Sequence, residues 1–172
     1  MSISLSSASL PVFQKSLGHL RHIVQKGIDD AQVRGYAPQV LMQARLAPDM
    51  LPFSRQVTVV CDVVKIWGHR MLGLEPPKYP NDETRLEQLQ DRIDQTLAWL
   101  ATVPAAALDG AEERDITMPA GNGQTRTLCG EDYLKHWALP NLFFHITTAY
   151  AILRHKGVPL GKHDFLYGPA TP

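Results

Sequence analysis

Apolar residues recur every three or four positions along most of the chain, which is the spacing of an amphipathic α-helix. Four long stretches follow this pattern and predict helices over residues 11–34, 52–73, 82–101 and 139–156. Prolines stand near the start of the first two stretches, and glycines lie at or just after the end of three of them, as is usual at helix termini. The last stretch is apolar on nearly every side, so we expect it to be the most buried helix.

The pattern changes between the third and fourth predicted helices. Ile116 and Met118 alternate with polar residues, AGNGQ supplies a turn and TRTL follows, which predicts a small β-hairpin. Residues 130–138 are typical of a short helix, and the irregular segment after the first helix, through Pro48, predicts a crossing connection. The sequence therefore predicts an all-α fold, a four-helix bundle with a long crossing connection and a hairpin insert, in a single domain of residues 1–172.

Composition narrows the possible partners. The chain has 172 residues, with 17 Lys and Arg against 17 Asp and Glu, and this balance argues against nucleic acid or an anionic membrane as a partner. Residues 136–153 contain no Asp, Glu, Lys or Arg, as in a membrane-spanning helix. However, two histidines, an asparagine and two threonines would make burial in a lipid bilayer costly. With only two cysteines and no pattern typical of a secretory signal, we expect a cytoplasmic protein.

A polar stripe on the last predicted helix is the main candidate for chemistry. Asn141, His145 and Thr148 are spaced i, i+4 and i+7 on an otherwise apolar cylinder. Gln56 lies at the margin of the apolar face of the second helix, from which it could reach His145. Because buried polar groups need partners, two interpretations stay open: a hydrogen-bond network within the core, or a ligand-binding site.

Two other polar sets lie away from the predicted core. His19 and His22 are separated by one helical turn beside lysines, and we expect them on a solvent-exposed face. Asp62 and Lys65 lie further along the second helix, where exposed charge is the simpler interpretation.

Two long strings resemble a known family. ARLAPDMLPFSRQV (residues 44–57) and LPNLFFHITTAYAILRHKGVPLGKHDFL (residues 139–166) resemble an uncharacterised bacterial domain-of-unknown-function family in the DinB-like, or YfiT-like, superfamily, which is associated with metalloenzymes. The likeness covers nearly the whole chain. It implies a four-helix bundle with a crossing connection, often as a homodimer.

The resemblance also implies where a site would lie. Metal-binding members typically use three histidines, and their places correspond here to Gln56, Asn141 and His145. Because amide oxygens are poor ligands for zinc or nickel, we expect no cofactor and at most weak binding of such an ion. Arg45 and Asp49, in the first string, are expected either to line the mouth of this pocket or to pair with each other.

Three functions follow from this sequence. The first is binding of a small molecule in a polar pocket formed by His145, Asn141, Gln56 and Thr148, with Arg45 and Asp49 at its mouth. The second is a metal-dependent transferase or hydrolase of thiol conjugates, in which His145, Asn141 and Gln56 hold zinc or nickel weakly. The third is a structural homodimer without a ligand site. The sequence names no substrate.

Overall fold

The protein is mostly helical, with one small antiparallel sheet, in a computed structural model that describes residues 3–169. The first half contains helices α1 (Leu5–Arg34), α2 (Phe53–Met71), α3 (Leu86–Leu100) and α4 (Ala105–Leu108). The second half contains strands β1 (Asp115–Gly121) and β2 (Gln124–Cys129) and helices α5 (Gly130–Tyr133), α6 (Leu139–His155) and α7 (Lys162–Tyr167). A 3-10 turn covers Pro38–Leu41, and a π-helical turn at Leu134–Ala138 joins α5 to α6. The predicted helical class and hairpin are therefore confirmed.

Helix α1 begins earlier than the pattern predicts. Ser4 and Ser7 form a reciprocal capping box, so the helix starts six residues before Pro11. Pro11 consequently lies inside the helix and leaves the carbonyl of Ser7 without its usual i+4 donor. Because Ser7 is exposed, water can satisfy this carbonyl. The start of α1 depends on this serine cap, which the spacing of apolar residues does not indicate.

Helix α3 begins later than the pattern predicts. Gln88 reaches back to accept hydrogen bonds from the backbone N–H groups of Thr84 and Arg85, at 2.9 and 3.0 Å. This cap starts the helix at Leu86, and neither Asn81 nor Asp82 caps it. The segment before it, residues 74–84, contains no helix or strand, and we call it the extended segment. Its Glu83 forms an ion pair with Arg92.

Helix α2 lies at the centre of the packing. It contacts α1, α3 and α6, and 12 of its 19 residues are buried. Trp67 is fully buried against Phe13 of α1, with ring centroids 4.7 Å apart. Two contacts set the direction of α6 against α2: Gln56 meets His145, and Arg70 meets Tyr133 just before α6. The two helices therefore run in opposite directions.

The hairpin has the predicted position and turn. β1 pairs with β2, with Ile116 opposite Leu128 and the hydroxyls of Thr117 and Thr127 2.9 Å apart. The turn contains Asn122 and Gly123, both with positive φ, which these residues tolerate better than others. Ile116 and Met118 are buried, so one face of the hairpin extends the core.

The C-terminal helix α7 is attached to α1 by polar contacts. Asp164 accepts hydrogen bonds from His22 Nε2 at 2.9 Å and Lys26 Nζ at 3.0 Å, and His19 Nδ1 lies 3.0 Å from the carbonyl of Phe165. The expectation that both histidines face solvent is therefore wrong. Periodicity located the face that they share, but it could not show that α7 covers this face.

The apolar stretch that imitates a membrane span is α6 with the turn before it. The expectation that this helix is the most buried is wrong: 6 of its 17 residues are buried, against 12 of 19 in α2, and Phe143 and Phe144 stay exposed. Within residues 3–169, no helix combines the length and the apolarity that crossing a bilayer requires.

We expect Gly130→Ala to lower the free energy of unfolding by about 1–3 kcal/mol, because this position has no room for a methyl group. A Cβ there would lie 2.1 Å from the carbonyl oxygen of Ala111 and 2.8 Å from Cε of Met71. Gly18→Ala is the matched control, since nothing lies within 4 Å of its Cβ position in α1. That change should raise stability by about 0.5–1 kcal/mol. Urea denaturation measures both, and equal effects would contradict the packing at Gly130.

The Asp164 contacts should make stability depend on pH in acid. Burial opposes ionisation, but hydrogen bonds from the Gly161 N–H, His22 and Lys26 prevail and lower the pKa of Asp164 to about 2. Because the folded-state pKa lies below the ordinary 3.8, this stabilisation is present above that value and is lost as pH falls towards 2. Unfolding of the native chain and of Asp164→Ala, measured from neutral pH downward, should converge in this window. A stability difference that persists at the acid end would contradict the prediction.

Candidate functional site

The side chains of His145 and Gln56 meet where α6 packs against the first turn of α2. Nδ1 of His145 lies 2.6 Å from Oε1 of Gln56, and Gln56 is only 2% exposed. Gln56 falls on the inner side of α2 because the neighbouring core positions of that helix are buried against α6. The structure thus brings together two of the residues that the sequence singled out, and we call them the His145–Gln56 pair.

The carbonyl of Leu51 determines which atom of this pair carries the proton of the hydrogen bond. Nε2 of Gln56 donates to the carbonyl of Leu51 at 3.0 Å, so the oxygen of the amide faces His145. An amide oxygen can only accept, and the proton of the hydrogen bond must therefore lie on Nδ1 of His145. The other ring nitrogen, Nε2, is then left with a lone pair in the neutral imidazole.

Burial keeps this imidazole neutral. His145 is half-buried, and desolvation lowers its pKa below the ordinary 6.5. The ring of Phe144 meets it edge to face at 5.1 Å, and Phe144 is itself exposed. At neutral pH the site therefore offers an unprotonated nitrogen beside an apolar aromatic surface.

The other two polar residues of the α6 stripe do not join the pair. Thr148 is buried, and its hydroxyl donates to the carbonyl of Phe144 at 2.7 Å, within its own helix. Asn141 is half-buried one turn before His145, and within residues 3–169 no hydrogen bond links its amide to His145 or Gln56. Of the stripe, only His145 reaches across to α2.

Arg45 and Asp49 lie in the crossing segment, and both are exposed. Nη1 of Arg45 donates to the carbonyls of Met50 at 3.2 Å and Pro48 at 3.4 Å. Among the described residues these two side chains form no ion pair with each other. Arg45 therefore stabilises this turn by donating to backbone carbonyls. It does not pair with the carboxylate of Asp49, which was one of the two expectations from the sequence.

The donor atoms do not suit a tightly held transition metal. The Gln56 oxygen accepts from His145 and its nitrogen donates to Leu51, which leaves one imidazole nitrogen and the amide of Asn141. In the part of the chain that the structure describes, no cluster of three histidine, cysteine or carboxylate side chains is arranged to hold an ion. Zinc and nickel sites normally need more imidazole or thiolate than this.

Asp62 and Lys65, which were expected to be exposed, are both half-buried, and Asp62 has an ion-pair partner. Asp62 of α2 forms an ion pair with Arg92 of α3 at 2.6 Å, and Arg92 pairs in turn with Glu83 at 2.5 Å. Lys65 and Arg92 line a cavity of about 320 Å³ beside this network. Helical spacing predicted that Asp62 and Lys65 lie one turn apart on α2. It could not predict that the extended segment covers them, because that segment has no periodic pattern of apolar residues.

Comparison with known proteins agrees with this architecture. Residues 5–166 match the family model described as a domain of unknown function, DUF1993. The crystal structure of a DinB family member from Shewanella denitrificans is 35% identical, with a TM-score of 0.88, over 98% of this chain and 94% of that one. No curated protein matches the chain as a relative. The resemblance seen in the sequence is confirmed: the chain belongs to the DUF1993 family of domains of unknown function and is similar to a DinB family protein.

Proposed function

We propose that this chain binds a small organic molecule at the junction of α2 and α6, where Nε2 of His145 accepts a hydrogen bond from it. The observation that carries the proposal is the chain of contacts from Leu51 through Gln56 to His145, which leaves Nε2 with a lone pair. The proposal includes the finer fold, in which the four long helices form a DinB-like bundle with this junction as one of its seams.

The exposure of the imidazole favours a ligand over a purely internal network. His145 is half-buried, and within residues 3–169 its Nε2 has no hydrogen-bond partner. A core histidine normally has both nitrogens satisfied, whereas a binding or acid–base histidine has one nitrogen held and the other free. The exposed ring of Phe144 adds an apolar contact. The ligand class is therefore a small molecule with an S–H, O–H or N–H donor next to an apolar group.

The metal-dependent alternative stays a prediction from the sequence. Only one of the three expected histidine positions holds imidazole, and the Gln56 amide is engaged on both sides. Calorimetric titration with zinc and nickel ions tests it. Tight, stoichiometric binding that disappears in His145→Ala would favour the metalloenzyme over our proposal. The expected homodimer likewise stays a prediction, which sedimentation of the purified chain tests.

We expect benzyl alcohol and benzyl mercaptan to bind weakly at the junction and to perturb the ring nitrogens of His145 in NMR spectra. Both carry the donor and the apolar group that the site calls for, whereas toluene lacks the donor and serves as the control ligand. The ligands should also shift backbone resonances where α2 meets α6; His145→Ala should abolish these shifts, and His136→Ala, at an exposed position, should not. Equal responses to toluene and the two donor ligands would contradict the proposed role of Nε2.

His145→Ala should also lower the free energy of unfolding by about 1–3 kcal/mol, because it leaves the buried oxygen of Gln56 without a donor. Thermal or urea unfolding of the same variant measures this loss. His136→Ala again serves as the control, and there we expect a change of about 0.5 kcal/mol or less, as is usual at the surface. An unchanged stability of His145→Ala would show that the hydrogen bond to Gln56 contributes nothing.

We expect Gln56→Glu to raise the pKa of His145, because a carboxylate 2.6 Å from Nδ1 favours the imidazolium form. In the native chain the pKa of His145 lies below 6.5, so its contribution to stability is present above that pH and is lost as pH falls. The variant should reduce or reverse this loss. Gln124→Glu, in the exposed hairpin, is the matched control for added charge. NMR titration measures the pKa, and a value unaffected by Gln56→Glu would contradict the pairing.

A further inference from the structure

A polar cavity lies on the opposite side of α2 from His145, at the contact of α2 with α3. Its volume is about 320 Å³, and its walls come from α2, α3 and the extended segment before α3. Pockets that bind small molecules have volumes of about 300–1,000 Å³, so this one suits a ligand at the small end of that range. Neither His145 nor Gln56 lines it, so it is independent of the function proposed above.

Arg92 lines this cavity and forms ion pairs with two nearby carboxylates. It is a largely buried residue, with a side chain only 9% exposed, and it donates to Asp62 and Glu83 and to the carbonyl of Pro80 at 2.6 Å. Because these three contacts connect α2, α3 and the extended segment, the wall of the cavity is built before any ligand arrives. Arg92 has no charge left to pair with a ligand.

Lys65 lies beside this network and, among the described residues, forms no direct ion pair. Its ammonium group lies 4.6 Å from the ring centroid of Tyr79, and within residues 3–169 it has no carboxylate within 4.0 Å. Asp62, one turn earlier on α2, would be its natural partner, but that carboxylate is held by Arg92. Burial lowers the pKa of Lys65. An anionic group placed beside Lys65 would therefore gain a charge-assisted contact that the free protein does not supply.

The mouth of the cavity carries the opposite charge. Asp82 from the extended segment and Asp91 from α3 line it, and both are exposed. In the described part of the chain neither carboxylate forms an ion pair. A purely anionic ligand would approach Lys65 past these two carboxylates, and the second ammonium group of a dication would lie beside Lys65, so one end of each meets like charge.

We propose that this cavity binds a small zwitterion, a molecule with a carboxylate and an ammonium group, as in free amino acids and ω-amino acids. The carboxylate pairs with Lys65, and the ammonium group pairs with Asp82 and Asp91 at the mouth. The ring of Tyr79, which Lys65 already covers, forms the apolar side of the site. No bond is made or broken in this proposal.

Three probes with the same carbon skeleton test the charge requirement: δ-aminovalerate, the dianion glutarate and the dication cadaverine. NMR titration of the full chain should show δ-aminovalerate binding about tenfold more tightly than either of the others. Resonances of α2 and α3 beside the cavity should shift, and His145 should not. Equal affinity for the three probes, or no binding of δ-aminovalerate, would overturn the proposal.

Lys65→Met removes the ammonium group and keeps an unbranched stem of four heavy atoms, so δ-aminovalerate should bind at least about tenfold more weakly. Lys78→Met is the matched control, since Lys78 is exposed in the same extended segment and does not line the cavity. Asp91→Asn, at an exposed position, should also weaken binding and serves if Lys65→Met fails to fold. Affinity that persists in Lys65→Met or Asp91→Asn would overturn the proposed contacts.

His145→Ala separates this inference from the proposed function. It should leave binding of δ-aminovalerate unchanged, while the response to benzyl alcohol disappears. Loss of δ-aminovalerate binding in that variant would place the zwitterion at the wrong site and overturn the inference.

Discussion

The burial of α2 is the constraint on which the rest of the structure depends. This helix packs against α1, α3 and α6 at once, so little of its surface can stay in water. Burial of its apolar residues, with Trp67 among them, supplies the driving force of folding. A buried polar side chain on α2 that finds no hydrogen-bond partner costs about 1–3 kcal/mol. Both candidate sites arise where a polar side chain of α2 has such a partner.

The two sites provide this partner in different ways. Gln56 is neutral, and it is satisfied by a neutral imidazole on one side and a carbonyl on the other, which leaves a ring nitrogen free. Asp62 is charged and is satisfied by Arg92, which leaves Lys65 without a carboxylate. In each case the contacts that satisfy the core leave one group at the edge without a direct partner among the described residues, and this is the group that we propose to recognise a ligand.

The similarity to a DinB family protein concerns the fold, and it does not determine the chemistry of the site. The similarity to the Shewanella protein covers 98% of this chain, with a TM-score of 0.88. At the place where metal-binding relatives are expected to carry three histidines, this chain has one histidine and two amides, and one amide is engaged as a hydrogen-bond bridge. An amide bridge fixes a tautomer where a third imidazole would hold an ion. The same scaffold can therefore support a different kind of site, since the fold alone does not set the chemistry.

The sequence by itself determined the helical class and the hairpin, because apolar spacing and turn residues are local properties of the chain. It also pointed to Gln56 and His145, through the resemblance and through a polar stripe on an apolar helix. It was wrong in making α6 the most buried helix, since α2 holds that place. It was also wrong about the start of α1, about the cap of α3 and about the exposure of His22 and Asp62. Only the tertiary structure decided those points. Whether a charged side chain is solvated or paired depends on which distant segment covers it, as α7 covers His22 and the segment before α3 covers Asp62.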